Sequence, residues 1–249
     1  MELLKTHAGG VTRLTLNRPE QRNALTVEIV SGLYQSIAGA IADPTCRAIV
    51  IAGAGGNFCA GRDLKAFAKE RSLEQLRAGD DQWAAIFKML DEADTPSIAI
   101  VEGYAYAGGF TLAMGCDFVI AEEGAKFQVS EMRHGFPAAI NTPVLSRLVG
   151  PRLALEMAML GETFTAERLF RIGLINRLVT GTAALQAEAD AFLGTLISRN
   201  AGAIGQTKRL NRAVRNDGFD DALNTGSLIN TQVSLAGGFT NASKSLQKN

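Results

Sequence analysis

Cysteine is scarce: Cys46, Cys59 and Cys116 are the three in 249 residues, and no two of them stand in a CxxC spacing. An odd, sparse set excludes a disulfide framework and a cysteine-based structural zinc site, and fits a reducing, cytoplasmic compartment. Histidine is scarcer still, with His7 and His134 alone; a His-rich metal centre is excluded and no metal is expected. Neither sign of charge is in excess, since 25 Lys and Arg balance 25 Asp and Glu. That balance argues against nucleic acid or an anionic membrane as the main partner. No apolar run approaches ~18 residues, so no membrane span is expected. The opening MELLKTHAGG has no basic stretch followed by a long apolar one, and no secretory leader is read there.

Apolar residues are plentiful, at 47%, enough to build the core of one large domain or two small ones. ELLKTH and VTRLTL read as two strands around the turn Gly9-Gly10. Thr26 reads as a helix cap, with Val30, Leu33, Tyr34, Ile37 and Ile41 at helical spacing and Asp43-Pro44 as the stop. CRAIVIAG reads as a buried strand and residues 54–63 as a glycine-rich loop. Ser72 and Gln75 fit a capping box ahead of the stripe Trp83, Ile86, Phe87, Leu90. SIAIVEG is the next strand, then YAYAGG and a short helix FTLAMG, then strands CDFVIAEE and KFQV. From residue 141 the chain reads as helical, with one strand at 174–179. Strand–helix alternation followed by a helical tail predicts an α/β core.

Two places share one form, a buried strand, a turn rich in Gly and Ala, then a helix start: AIVIAGAGGNFCAGRDL and SIAIVEGYAYAGGFTLAMG. Helix N-termini carry unpaired N–H groups that suit anions, and glycine lets a backbone approach a ligand closely. Two such N–H groups from different loops can grip one oxygen, the arrangement that stabilises an enolate or a tetrahedral oxyanion. Ordinary strand-to-helix turns have the same spacing, so the pattern alone leaves both readings open. A dinucleotide fingerprint at GAGGNF fails, because Phe58 stands where the third glycine belongs.

Four ordered segments, LNRPEQRNAL (16–25), NFCAGRDLK (57–65), VEGYAYAGGFTLAMGCDFVIA (101–121) and KFQVSEMRHGFPA (126–138), resemble the crotonase family of enoyl-CoA hydratases and isomerases. The resemblance implies an α/β spiral of repeated ββα units, with a spiral core over 1–190 and a C-terminal helical trimerisation region over 191–249. It implies an acyl-CoA thioester as substrate rather than a separate cofactor, and a homotrimer or a homohexamer built from two trimers. Carried over by position, the main-chain N–H groups of Arg62 and Gly108 would hold the thioester oxygen. Ala24, Ala60, Asp63, Leu64 and Arg22 form the implied CoA-binding set; Asp63 would also support the loop or cap the following helix, and Arg22 would assist with phosphate. Lys208, Arg212 and Arg215 share a helical face that would be solvated or would meet the nucleotide phosphates.

The family's two-carboxylate hydratases hold one Glu in the helix after the glycines and a second further along. Here the first position is Thr111 and the second is Glu131. A single Glu beside an oxyanion hole can add water across a 2-enoyl thioester, with Thr111 helping to position the water, or it can shift a double bond without water. Hydration is the first expectation and isomerisation the second. A non-catalytic acyl-CoA binder is the third. His134 would line the pocket or stay exposed, Cys59 would be a small buried residue rather than a nucleophile, and Asp117 would hold a structural hydrogen bond. GFPAAI would supply an apolar acyl pocket. The stretch 136–141 offers no Asp for a dehalogenase.

Overall fold

The Gly9-Gly10 turn folds β1 (Leu3–Ala8) back on β2 (Val11–Leu16) in antiparallel register, Leu3 opposite Leu16 and Ala8 opposite Val11. Alternation along β2 buries Thr12, Leu14 and Leu16, as a strand with one face on a core requires. α1 (Val27–Ala42) starts at Thr26, whose Oγ1 accepts from the Ile29 N–H at 3.2 Å. β3 (Ala48–Gly53) and the glycine loop follow, then α2 (Leu64–Phe67) and α3 (Leu73–Glu92). The Ser72–Gln75 capping box opens α3, with both reciprocal bonds made. The computed structural model describes residues 1–68, 71–239 and 243–244.

The chain continues through β4 (Ser97–Val101), β5 (Tyr104–Tyr106), α4 (Gly108–Met114), β6 (Phe118–Glu122) and β7 (Lys126–Gln128), then a 3-10 turn at Glu131–His134. α5 (Asn141–Leu148), α6 (Pro151–Leu160), β8 (Thr163–Thr165), α7 (Ala166–Arg171) and β9 (Arg177–Val179) lead to α8 (Thr182–Ser198), α9 (Ala201–Asn216) and α10 (Phe219–Leu235). One sheet has the order β1-β2-β3-β4-β6-β9, parallel after the first hairpin; the second has the order β5-β7-β8. Each turn of the spiral lays a long strand in the first sheet and a short one in the second, then a helix: β4-β5-α4 and β6-β7-α5. In the turn that begins with β3 the short strand shrinks to one residue, Cys59, bridged to Ala105. The expected spiral of ββα units is the observed fold.

β3 and β4 are nearly continuous in apolar residues because both their faces are covered. Ile49, Ile51, Ala99 and Val101 face a core shared with α1, α3 and α4. Val50, Ile98 and Ile100 face a second cluster closed by Leu185, Ala189 and Leu193 of α8. The expected boundary at residues 190 and 191 lies inside α8, which is continuous from Thr182 to Ser198.

Three elements differ from expectation. Tyr104–Tyr106 is a strand, paired in parallel with β7. Thr163–Thr165, expected within helical sequence, is a strand antiparallel to β7. The strand expected over 174–179 contracts to Arg177–Val179. All three are three residues long, too short to carry a periodic signal, and exist because a neighbouring strand supplies their hydrogen bonds.

The basic face of α9 is engaged by carboxylates and carbonyls of neighbouring elements. Lys208 Nζ pairs with Asp117 at 2.6 Å and donates to the Leu90 carbonyl at 2.6 Å. Arg215 pairs with Asp91 at 2.7 Å, Arg212 donates to the Asp91 carbonyl at 3.2 Å, and Arg209 pairs with Asp94. These bonds staple α9 to the end of α3 and the start of β6. Lys208→Ala leaves the Asp117 carboxylate without its cation, a loss of about 2 kcal/mol for a largely buried pair. A fall in melting temperature of roughly 4–8 °C is expected, with CoA affinity retained; unchanged melting with weakened CoA binding would support the phosphate role instead.

Candidate active site

The glycine-rich loop is built around a buried asparagine. Asn23 has a left-handed backbone, φ 56°, and no solvent exposure. Its Nδ2 donates to the Ala54 carbonyl at 2.9 Å and the Asn57 carbonyl at 2.6 Å, and its Oδ1 accepts from the Arg18 N–H at 2.8 Å. Beyond it the loop is laced to the second sheet: the Cys59 N–H donates to the Tyr104 carbonyl at 2.8 Å, and the Tyr106 N–H to the Cys59 carbonyl at 2.9 Å. The two glycine turns are thereby brought into contact. A methyl added at Gly61, φ 94°, would lie 2.8 Å from Ala107 Cβ and 3.4 Å from the Gly108 nitrogen. One added at Gly109 would overlap the Cys59 carbonyl oxygen.

The contact leaves two amides without acceptors. Leu25 and Arg62 are bridged in parallel fashion through the Leu25 N–H to the Gly61 carbonyl and the Asp63 N–H to the Leu25 carbonyl, both 2.8 Å. In that pattern the N–H of Arg62 itself points away from Leu25, and no acceptor meets it among the described residues. Gly108 is the first residue of α4, where N–H groups have no intrahelical partner. Ala107, just before it, is held at φ 47°, a strained conformation for a residue with a Cβ.

Glu131 opens the 3-10 turn after β7. Its Oε1 accepts from Asn141 Nδ2 at 2.7 Å, while Oε2 is buried with no partner among the described residues. Burial pushes the Glu131 carboxyl above its usual range; its own main-chain amide, then the Asn141 donor and the Arg62 and His134 charges, pull the other way. The hydroxyl of Thr111, expected to position water, lies 2.7 Å from Asn141 Oδ1 and 3.2 Å from the Ala107 carbonyl. Arg62, Gly108, Thr111 and Glu131 line one cavity of about 530 Å³, with Ala60, Leu64, Trp83 and His134. Phe136, Pro137, Ala139 and Ile140 of the GFPAAI stretch form its apolar wall. A wider groove of about 830 Å³ between α9 and α10 is lined by residues such as Leu210, Val214 and Phe219 and has no acid or base.

The remaining sequence candidates have assigned contacts. Asp63 caps α2, its Oδ1 accepting from the Lys65 and Ala66 N–H groups and its Oδ2 pairing with Arg18 at 3.0 Å. The Ala66 amide and Arg18 hold that carboxyl below its usual range. Arg22 lies over the Tyr104 ring, 5.2 Å from its centroid, and its carbonyl accepts from the Ala60 N–H. Ala24 gives its carbonyl to Arg18 at 2.8 Å. The Arg62 side chain pairs with Asp80 at 2.6 Å. Cys59 is buried, and burial pushes its thiol up to about 12, which favours the thiol over the thiolate that a nucleophile needs. Asp117 does hold its structural bonds, to the Ser97 N–H and hydroxyl, both 2.8 Å. Sequence reasoning missed Asn141; the one available signal was an amide side chain closing an otherwise apolar run.

The enoyl-CoA hydratase/isomerase family pattern matches residues 6–234. The chain belongs to this family. It is 33% identical over 208 residues to the crotonyl-CoA hydratase of Syntrophomonas wolfei, covering 83% of this chain and 78% of that protein. It is 32% identical to the carnitinyl-CoA dehydratase of Salmonella typhi, over 84% and 79% of the two chains. The solved enoyl-CoA hydratase of Mycobacterium smegmatis superposes with a TM-score of 0.92 at 30% identity, over 100% of this chain and 97% of that one. Family membership makes the chain one of the hydro-lyase and isomerase enzymes of acyl-CoA metabolism.

The raised carboxyl sets a sign for stability. A carboxyl whose folded pKa exceeds its unfolded one favours folding below the unfolded value and loses that contribution as pH rises through the folded one. Glu131→Gln removes the desolvated charge and keeps an acceptor for Asn141. The variant is expected to melt above the wild type at pH 8, with the gap closing towards about pH 4; thermal melts across that range check it.

Proposed function

We propose that the protein is an enoyl-CoA hydratase that works with one carboxylate. The thioester carbonyl of a 2-enoyl-CoA accepts from the Arg62 and Gly108 N–H groups. Glu131 Oε2 takes a proton from water as the water oxygen bonds to C3. The C2–C3 electron pair moves towards the thioester oxygen, and the resulting enolate is held by the two amides. Glu131 then returns that proton to C2, giving the 3-hydroxyacyl thioester and a carboxylate ready for the next cycle. The observation that carries this reading is the unpartnered Oε2 of Glu131 in the same cavity as two amides without acceptors. The hydratase and dehydratase names of the relatives point the same way.

The CoA moiety would run over the Ala24, Ala60 and Leu64 backbone, with Arg22 near its phosphates. Ala60 and Leu64 at the cavity edge support this path. Exposed Phe219, Leu223 and Leu228 on α10 support a trimer, or a hexamer of two trimers, as the working assembly. No helix among the described residues is long and apolar enough to cross a membrane, and no group of His, Cys, Asp and Glu among them fits a metal.

One observation favours a second reading. The Thr111 hydroxyl proton is directed at Asn141, so Thr111 does not add a second group that activates water. Glu131 alone would suffice for an isomerase that moves a proton between C2 and C4. Panels of 2-enoyl and 3-enoyl thioesters separate the two: loss of conjugated absorbance marks hydration, its appearance from a 3-enoyl thioester marks isomerisation. In either case Glu131→Gln should lower kcat by about 10²–10⁴-fold. Wild-type turnover by that variant would overturn both, and CoA binding without turnover of any thioester would leave a binding protein.

A further inference from the structure

We propose that Asn141 is the positioning residue of this site: bridging Thr111 and Glu131, it commits Oε1 as a hydrogen-bond acceptor and leaves Oε2 as the oxygen that exchanges protons with substrate. The inference rests on the reading of Glu131 as the acid/base. Asn141 is 1% exposed, and every polar atom of its amide is used. Oδ1 accepts from the Thr111 hydroxyl at 2.7 Å; Nδ2 donates to Glu131 Oε1 at 2.7 Å and to the Ala107 carbonyl at 3.2 Å. The carbonyl of Ala107 can only accept, so the NH2 end of the amide must face it, and Glu131 therefore receives a donor.

Two consequences follow. The first is electrostatic. Where a second carboxylate would oppose ionisation of Glu131, this chain has a hydroxyl and an amide, both neutral, and the amide N–H favours the ionised form against the effect of burial. The buried acid is thus kept usable as a base. The second is geometric. The same NH2 group reaches the carbonyl of Ala107, the strained residue whose turn presents the Gly108 N–H. One side chain therefore ties the acid and one of the two oxyanion donors to a common frame. Thr111, thirty residues away in sequence, keeps that side chain from turning over.

The test is the pH dependence of kcat/KM on whichever enoyl thioester the protein turns over. Asn141→Ala should lower kcat roughly 10–100-fold, change KM less than about threefold, and move the acid limb up by about one pH unit. Thr111→Val, nearly isosteric and at a residue hydrogen-bonded to Asn141 and Ala107 rather than to Glu131, should shift the limb in the same direction by less, and Thr111→Ser should recover most of the loss. Should Asn141→Ala fail to fold, as judged by circular dichroism, the Thr111 pair carries the test. A folded Asn141→Ala, or in its absence Thr111→Val, with the wild-type acid limb would overturn the proposal even if kcat fell, because a merely structural role does not move that limb. Glu131→Gln assayed alongside separates the levels. If it is inactive and the limb is unmoved, Asn141 alone loses its role; if it turns over normally, the acid/base reading has failed and the positioning role falls with it.

Discussion

The site depends on a steric constraint: two strand-to-helix turns meet backbone to backbone at Gly61 and Gly109, with no space for a side chain at either. Gly109 packs on the Cys59 carbonyl, and Gly61 packs on Ala107 and the Tyr106 carbonyl. That contact is enforced from both sides by main-chain bonds, from Cys59 to Tyr104 and Tyr106 and from Gly61 to Leu25. The parallel sheet beneath positions both turns, since β3 and β4 are adjacent strands in register from Ile49 opposite Ser97 to Ala52 opposite Ile100. Neighbouring parallel strands end side by side, so the loops after them share one edge of the sheet, where ligands bind in open α/β folds.

Against that backbone frame the protein sets one carboxyl in a poorly solvated position. Burial raises the Glu131 carboxyl above its usual range; its own main-chain amide, Asn141, Arg62 and His134 pull against that rise. In the proposed mechanism this same carboxyl accepts a proton and returns it. The Arg62 side chain is held by Asp80 and over the Phe67 ring, so its charge acts on Glu131 through space while its main-chain N–H meets no acceptor among the described residues. The side chain and the amide of one residue thus act separately.

Much of this was legible in the sequence, for physical reasons that also mark where legibility ends. The long strands were legible because burial on two faces imposes unbroken apolar runs, and α1 and α3 because Thr26 and the Ser72–Gln75 pair announce their starts. β5 and β8 were not, because three residues leave no period to read. Arg62, Gly108, Thr111 and Glu131 could be located through ordered motifs, and the fold brings all four to one cavity. Asn141 could not, since its meaning lies in contacts with Thr111 and Ala107, far away along the chain. Lys208, Arg212 and Arg215 show the same limit. A basic helical face looks alike whether it meets water, phosphate or carboxylates, and the carboxylates that pair with Lys208 and Arg215 here, Asp117 and Asp91, lie 91 and 124 residues away.

The most direct measurement is the vibrational frequency of the thioester carbonyl in bound crotonyl-CoA, carbon-13-labelled at that carbon, on the Glu131→Gln protein. Convergence of the Arg62 and Gly108 amides on one oxygen predicts a carbonyl band displaced to lower frequency than in free crotonyl-CoA, and a smaller displacement in a second protein that also carries Gly61→Ala. A bound carbonyl at its solution frequency, unaffected by the Gly61 change, would contradict the account.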